Sequence, residues 1–596
     1  MTILYSYDKV YTNMATLQKR KTRGHNYWSI VESRRINGKP RPVILEYLGS
    51  AATLFKRLKE GIPKKVHSYS HGLVAVMLDI AEELQVVPSI NRHLKSKQLR
   101  DGFTVGGSLL LAAIGRIGKP TSKRGWYEGW ARYTSLSYLL RISLNRLDSQ
   151  HFWDQMEAFP LAAIHQVEED ILKVLIEKEG ITLDTLLYDT SNFFTYIDSN
   201  NQRCSLAQRG RNKQKRMDLR QFGLLLLVSR DQIPLFHQVY QGNLSDKVVF
   251  KDNFQKILAR FKAIAGSLEN ITLVFDQGNN SKKIVKNVDQ NIHFVGALSP
   301  YQHKDLIKEA NKNLNIISVN NYELECYRLR TRIWELDLTC VVYISEKLRK
   351  GQIKGLKQDV EKIFAKLHKL KEKIQQPTKG KKRTKEDLEK KIRSLIPDNH
   401  ISWKLKPLKE DAFDLDFWVD KKEFDLLNRK FGYRILITNQ HEWSTKEIIL
   451  AYWGQSKIEN VFKKIKNPFH LALRPQYHWT DQKIEVHGFI CLLAFLLVMV
   501  ASKRAREKAG FTGTPDALLE KLSAIRLATF IESPLQKTKG RYKAVYRLEE
   551  MDPDIKVLAE GMSLSELKLK TKRKMSLVTL FKFYSCLNIF LITFYR

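Results

Sequence analysis

Between residues 181 and 300 the hydrophobic pattern switches repeatedly between a period of two and a period of 3.6, and this restricts the fold more than any other feature of the chain. Thr182 to Tyr196 reads as a strand with a polar interruption. Phe222 to Ser229 and Ile233 to Tyr240 read as a hairpin turned at Arg230-Asp231-Gln232. Lys247 to Ile264 has the helical period, while Ile271 to Phe275 and Ile292 to Leu298 are short buried strands. Strands interleaved with helices predict an α/β core, a mixed sheet flanked by helices.

With 596 residues the chain exceeds what one hydrophobic core serves, so other modules are expected around that sheet. Residues 1–65 alternate apolar and polar positions around Asn37-Gly38, a type I′ turn dipeptide, with Tyr27 to Ser33 and Pro42 to Tyr47 as the paired strands. They form a small basic β module. Residues 66–180 carry the helical period, as in Gly72 to Leu84 and Gly106 to Ile117, and read as an all-helical domain. The core begins at 181–300, is interrupted by an insertion over 301–440, and resumes over 441–510 with a long helix from about Ser444. Residues 511–596 form a C-terminal region assigned to oligomerisation.

Inside the insertion, 315–345 look like strands. Ile353, Leu356, Val360, Ile363, Leu367, Leu370 and Ile374 then follow at spacings alternating three and four, a heptad seam. After a break at 376–380, Thr384 and Asp387 form a capping box before Leu388, Ile392 and Leu395. A helical hairpin over 346–396 on a β platform is the simplest reading. Its longer arm carries more apolar surface than the shorter can cover, which predicts an exposed stripe facing a partner subunit or its DNA.

The formal net charge of +38 calls for a polyanionic partner, and Lys and Arg spread along the whole chain favour an extended nucleic-acid footprint over a basic anchor. The five cysteines form no CxxC pair, and His470, His478 and His487 match no zinc spacing, which argues against a zinc site or a disulfide framework. Phe489 to Ala501 is too short to cross a bilayer, and Lys582 interrupts the apolar stretch Ser576 to Arg596. The N-terminus lacks a signal-peptide core. No membrane partner is expected, and the predicted location is cytoplasmic and nucleoid-associated.

Three acids have the character of phosphoryl-transfer ligands. Asp189 interrupts the apolar strand Leu186-Leu187-Tyr188, where a charge is costly unless paired or metal-bound. Asp276 follows Ile271-Thr272-Leu273-Val274-Phe275, at the carboxyl end of a strand, where α/β sheets place their sites. Tyr452, Gln455, Glu459 and Lys466 fall within roughly a 60° sector of one helix, with Ile458, Val461, Phe462 and Ile465 on the neighbouring face. Such a helix anchors its apolar side and presents one carboxylate among an aromatic ring, an amide and a cation.

These residues resemble the DDE transposases of bacterial insertion sequences, the group with a tyrosine–arginine–glutamate–lysine signature. Here it reads Tyr452-x2-Gln455-x3-Glu459-x6-Lys466, with Gln455 in place of the usual arginine. Tyr188 to Thr195, Lys215 to Gln221, Gly242-Asn243-Leu244-Ser245-Asp246 and Leu473 to Thr480 continue the likeness in order over about 180–500. The resemblance implies a ribonuclease-H-like core, with Asp189, Asp276 and Glu459 as catalytic acids holding two Mg²⁺ or Mn²⁺ ions. It also implies a homodimer acting in a paired-end complex on double-stranded DNA, both element ends and target. Tyr452, Gln455, Lys463 and Lys466 are then expected at the DNA, as are Arg209, Arg211, Lys215, Arg216 and Arg220 in the basic segment after the first catalytic strand. Two other readings share these residues: a nuclease of the same fold class, and an inactive DNA-binding descendant of a transposase.

Overall fold

The computed structural model describes residues 15–22, 24–36, 39–55, 65–95, 99–212, 216–276, 278, 281–376, 384–396, 400–408, 412–467, 471, 473, 478–532 and 543–564. The Asn37-Gly38 turn, Lys215, His470 and the apolar stretch 576–596 lie outside them.

A nine-stranded mixed sheet dominates. Numbered in chain order, its strands are β1 (Thr185–Thr195), β2 (Arg220–Ser229), β3 (Pro234–Gln241), β4 (Thr272–Phe275), β5 (His293–Leu298), β6 (Asn315–Val319), β7 (Tyr322–Ile333), β8 (Leu336–Ile344) and β9 (Tyr433–Thr438). Their order across the sheet is β6-β7-β8-β9-β5-β4-β1-β2-β3. β4 is parallel to both β1 and β5, while β1–β2, β2–β3, β5–β9 and the pairs beyond β9 are antiparallel. β2 is buried along almost its whole length, which explains its unbroken run Leu224-Leu225-Leu226-Leu227-Val228. The expected core strands are all present, each within a few residues of its predicted bounds.

Helix α1 (Asp246–Ala265) lies on one face of the sheet, where Phe250 packs on Tyr188 and Phe275 at ring-centroid distances of 4.8 and 5.6 Å. Three shorter helices follow. They are α2 (Lys282–Asp289) and α3 (Lys304–Asn313) within the sheet's crossovers, and α6 (Thr445–Trp453) after β9. A reciprocal capping box between Ser444 and Glu447 starts α6 where the sequence places it. The long helix predicted from there is in fact two, because α7 (Gln455–Lys466) begins afresh after Gly454. A Cβ on Gly454 would stand 2.8 Å from the Ala451 carbonyl oxygen and 3.1 Å from Leu187 Cδ2, so the glycine permits close approach to β1.

The insertion departs from expectation in two ways. Its strands β6–β8 are not a separate platform: β8 pairs with β9, extending the central sheet. The stripe on α4 (Glu346–Ile374) is also covered from Val360 onward, while Ile353 and Leu356 are half-buried outside that core. Val360, Leu367, Leu370 and Ile374 join Leu388 and Ile392 of α5 (Lys385–Leu395) and Ile401, Leu405, Phe413 and Leu415 of a two-stranded sheet, Ile401–Pro407 with Phe413–Val419. The insertion therefore carries a small core of its own, in which that β-hairpin covers the later part of the stripe.

By internal contacts the chain divides into two units, 1–80 with 123–148 and 501–596, and 81–122 with 149–500. The first holds a three-stranded sheet of Thr16–Thr22, His25–Ile36 and Lys39–Ser50. Its second sheet joins Lys65–Ser70 to Arg526–Glu532 and Lys543–Leu548, strands from opposite ends of the chain. The region read as one helical domain, 66–180, is shared between the units, because pairing between Lys65–Ser70 and Arg526–Glu532 leaves no local trace in the sequence. Among the described residues one helix, α8 (Asp481–Ala509), is long and apolar enough to span a membrane, and 94% of its apolar window is buried inside the protein.

Candidate active site

β1 changes character at one position. Leu186, Leu187 and Tyr188 are buried, whereas Asp189 to Asn192 are half-buried, so Asp189 stands where the strand emerges from the core. The parallel register ends on the pair Tyr188–Phe275, and Asp189 and Asp276, the latter just past the end of β4, are the next residue of each chain segment. Tyr188 and Phe275 turn toward α1, so alternation sends the two carboxylates to the opposite face.

That face carries α6 and α7. Tyr452 of α6 donates its hydroxyl to Asp276 Oδ1 at 2.8 Å, and Arg434 of β9 reaches the same hydroxyl at 3.4 Å. Burial and the neighbouring Asp276 carboxylate hold the Tyr452 phenol well above its usual pKa, so it stays a donor. At the start of α7, Gln455 is buried and its Nε2 donates to the carbonyls of Tyr188 (3.3 Å) and Val274 (2.8 Å). At the end of α7, Lys466 reaches Ser191 Oγ at 2.5 Å and lies 5.1 Å over the Phe193 ring. Gln455, Glu459, Phe462 and Lys466 form one stripe at offsets of four, three and four residues. Both ends of the stripe touch β1, so Glu459 lies on the side of α7 that faces the strand bearing Asp189. It is exposed and has no protein partner among the described residues.

The donors suit hard divalent ions: carboxylate oxygens only, with two of them on residues that directly follow a paired position of adjacent strands, where like charge favours an intervening cation. Among the described residues no three His, Cys, Asp or Glu side chains stand close enough to hold one ion. Asp189 Oδ1 accepts from the Thr190 amide at 2.8 Å, and the Thr190 hydroxyl donates to Asp246 Oδ1 at 2.7 Å. Asp246 opens α1, so the Gly242-Asn243-Leu244-Ser245-Asp246 segment connects to the residue beside the first acid.

Several residues expected at DNA have partners within the chain. Gln455 is committed to the two strand carbonyls, and Arg220 to four others: Ala207 (2.6 Å), Asp198 (3.0 Å), Asn201 (3.1 Å) and Cys204 (2.6 Å). Both are struts of the fold, and neither was distinguishable by pattern because their partners are backbone atoms distant in sequence. Arg216 is paired bidentately with Asp218 on the surface, at 2.9 and 2.7 Å. Arg209 and Arg211 are exposed, Arg209 with one bond to Ser199 Oγ at 3.1 Å. Lys463 is exposed beside Asn460, and Lys466 flanks β1 as described. Pattern reading also missed Thr190, Arg434 and Asp481. Asp481 accepts from the Ser205 amide and hydroxyl and the Leu206 amide at 3.0, 2.6 and 2.9 Å, and so ties the basic loop to α8.

No model of a known protein family matches the chain, and no curated protein matches it in sequence.

Proposed function

We propose that the chain is a DNA transposase of the three-carboxylate type, with a ribonuclease-H-like core that cuts element ends and joins them to target DNA. The observation that carries the reading is that Asp189 and Asp276 directly follow the paired Tyr188 and Phe275 of two parallel strands, with the helix bearing Glu459 tied to β1 at both ends. The arrangement β3-β2-β1-β4-β5, antiparallel on one side of β1 and parallel on the other, supports the ribonuclease-H-like assignment. The +38 charge supports a DNA partner.

In this reading Asp189, Asp276 and Glu459 hold two Mg²⁺ or Mn²⁺ ions, which when bound would activate the attacking water or 3′-hydroxyl and stabilise the leaving oxygen. The protein's own part is positioning. The Tyr452 hydroxyl fixes one oxygen of Asp276, the Thr190 amide fixes one of Asp189, and Lys466 brings a cation beside them for a phosphate. The enzyme would act as a homodimer on paired ends, in the cytoplasm at the nucleoid. The test is to incubate purified protein and Mg²⁺ with a plasmid bearing the DNA that flanks the reading frame, plus a target plasmid. Covalently joined products are expected. Cleavage without any joined product would instead make the protein a nuclease.

A further inference from the structure

The loop after β1 contains a cation that the fold leaves unneutralised yet fixes in place. Arg203 is exposed and has no acidic partner among the described residues. Its guanidinium lies 5.5 Å over the ring of Trp479. Trp479 stacks on Trp153, with centroids 5.9 Å apart and planes inclined by 27°, and Lys483 Nζ caps Trp153 at 4.7 Å. Lys483 is fully buried and bonded to the Trp153 carbonyl (2.7 Å) and Glu157 (2.5 Å), so the base of this column is rigid. The loop is pinned on three sides: by Asp481 to Ser205 and Leu206, by Asn201 Nδ2 to the Trp479 carbonyl at 3.1 Å, and by the Arg220 fork.

We propose that Arg203, laid on Trp479, is a DNA-phosphate site on the duplex flanking the cleavage point, a role that rests on the DNA-processing reading above. An arginine stacked on an aromatic ring keeps its planar fork in one orientation and turns its N–H edge outward, the geometry for bidentate phosphate contact. Two neighbouring arginines lack that capacity, since Arg220 is consumed by carbonyls and Arg216 by Asp218, and Arg209 and Arg211, though exposed, have no aromatic ring to hold them among the described residues. Position fits as well. Arg220 pairs with Thr195 at the end of β1, six residues beyond Asp189, or roughly 20 Å of strand and about six base pairs of duplex. Lys466, beside Ser191 and over Phe193, lies between them along the same strand. The site accounts for the Trp479-Thr480 end of a motif that the catalytic acids leave unused.

The experiment measures binding of the full chain to a 40-base-pair mixed-sequence duplex in EDTA across a salt series, with thermal midpoints as a check on folding. Arg203→Ala is expected to weaken binding about tenfold and to lower the log–log salt slope by about one. Trp479→Leu keeps the charge but removes its support, and should weaken binding about threefold. Lys173→Ala removes the same charge from a surface pair with Glu169 and should change little. If Arg203→Ala matches Lys173→Ala while the wild type binds in a salt-dependent way, the Arg203 site is wrong and the DNA reading stands. If the wild type does not bind the duplex at all, both fall.

Discussion

Gln455 occupies the place where the resemblance expects an arginine, and the structure gives that exchange a physical sense. A neutral amide can enter the buried junction of β1 and β4 and satisfy two carbonyls, one residue before Asp189 and two before Asp276. A guanidinium there would need a counter-charge. Gln455→Leu strands both carbonyls and should cost about 2 kcal/mol of stability. It should slow cleavage while leaving duplex affinity near wild type, as chemical denaturation and a binding isotherm would reveal. Lost affinity at unchanged stability would mean that Gln455 touches DNA after all. At this scale the acids were legible because a charge interrupting an apolar strand, or ending one, announces itself. Gln455 and Arg220 were not, since nothing in a sequence marks which backbone carbonyl a side chain will find.

Elements were legible wherever the period was local. The strands and the one helix read over 181–300 stand close to their predicted bounds, and a helix starts at Ser444 as read. The break at Gly454 was missed because apolar residues continue through it in phase, and only close packing on Leu187 reveals the need for a residue without a Cβ. The hairpin over 346–396 was foreseen, its partner was not. Ile401, Leu405, Phe413 and Leu415 come onto the α4 stripe from Val360 to Ile374, which leaves Ile353 and Leu356 as its only part outside that core. Leu367 is fully buried in that small core, so Leu367→Ala should cost about 3 kcal/mol. The loss should be confined to the insertion. Hydrogen exchange ought to quicken over 346–419 while β1, β2 and β4 keep their protection, and uniform loss across the sheet would contradict a separate core.

For the whole molecule, composition foretold a basic protein of several modules, but not that strands near residues 65 and 530 would pair. The unit they form contains His71, whose Nδ1 lies 2.8 Å from Ser135 Oγ and whose pKa burial lowers to about 4. A histidine held neutral in the fold protonates first in the unfolded chain. Its contribution is therefore complete above pH 6.5 and is lost as pH falls toward 4, about 3 kcal/mol in all. His71→Gln should flatten the denaturation midpoint over that window relative to wild type, and parallel curves would rule the effect out. Of the three acids Glu459 alone comes from a helix, and it has no structural partner to explain it among the described residues. The decisive measurement is the Mg²⁺-dependent cleavage rate of Glu459→Gln on DNA bearing the element's ends. A fall of several orders of magnitude with end binding retained is the predicted result, and cleavage at near wild-type rate would contradict it.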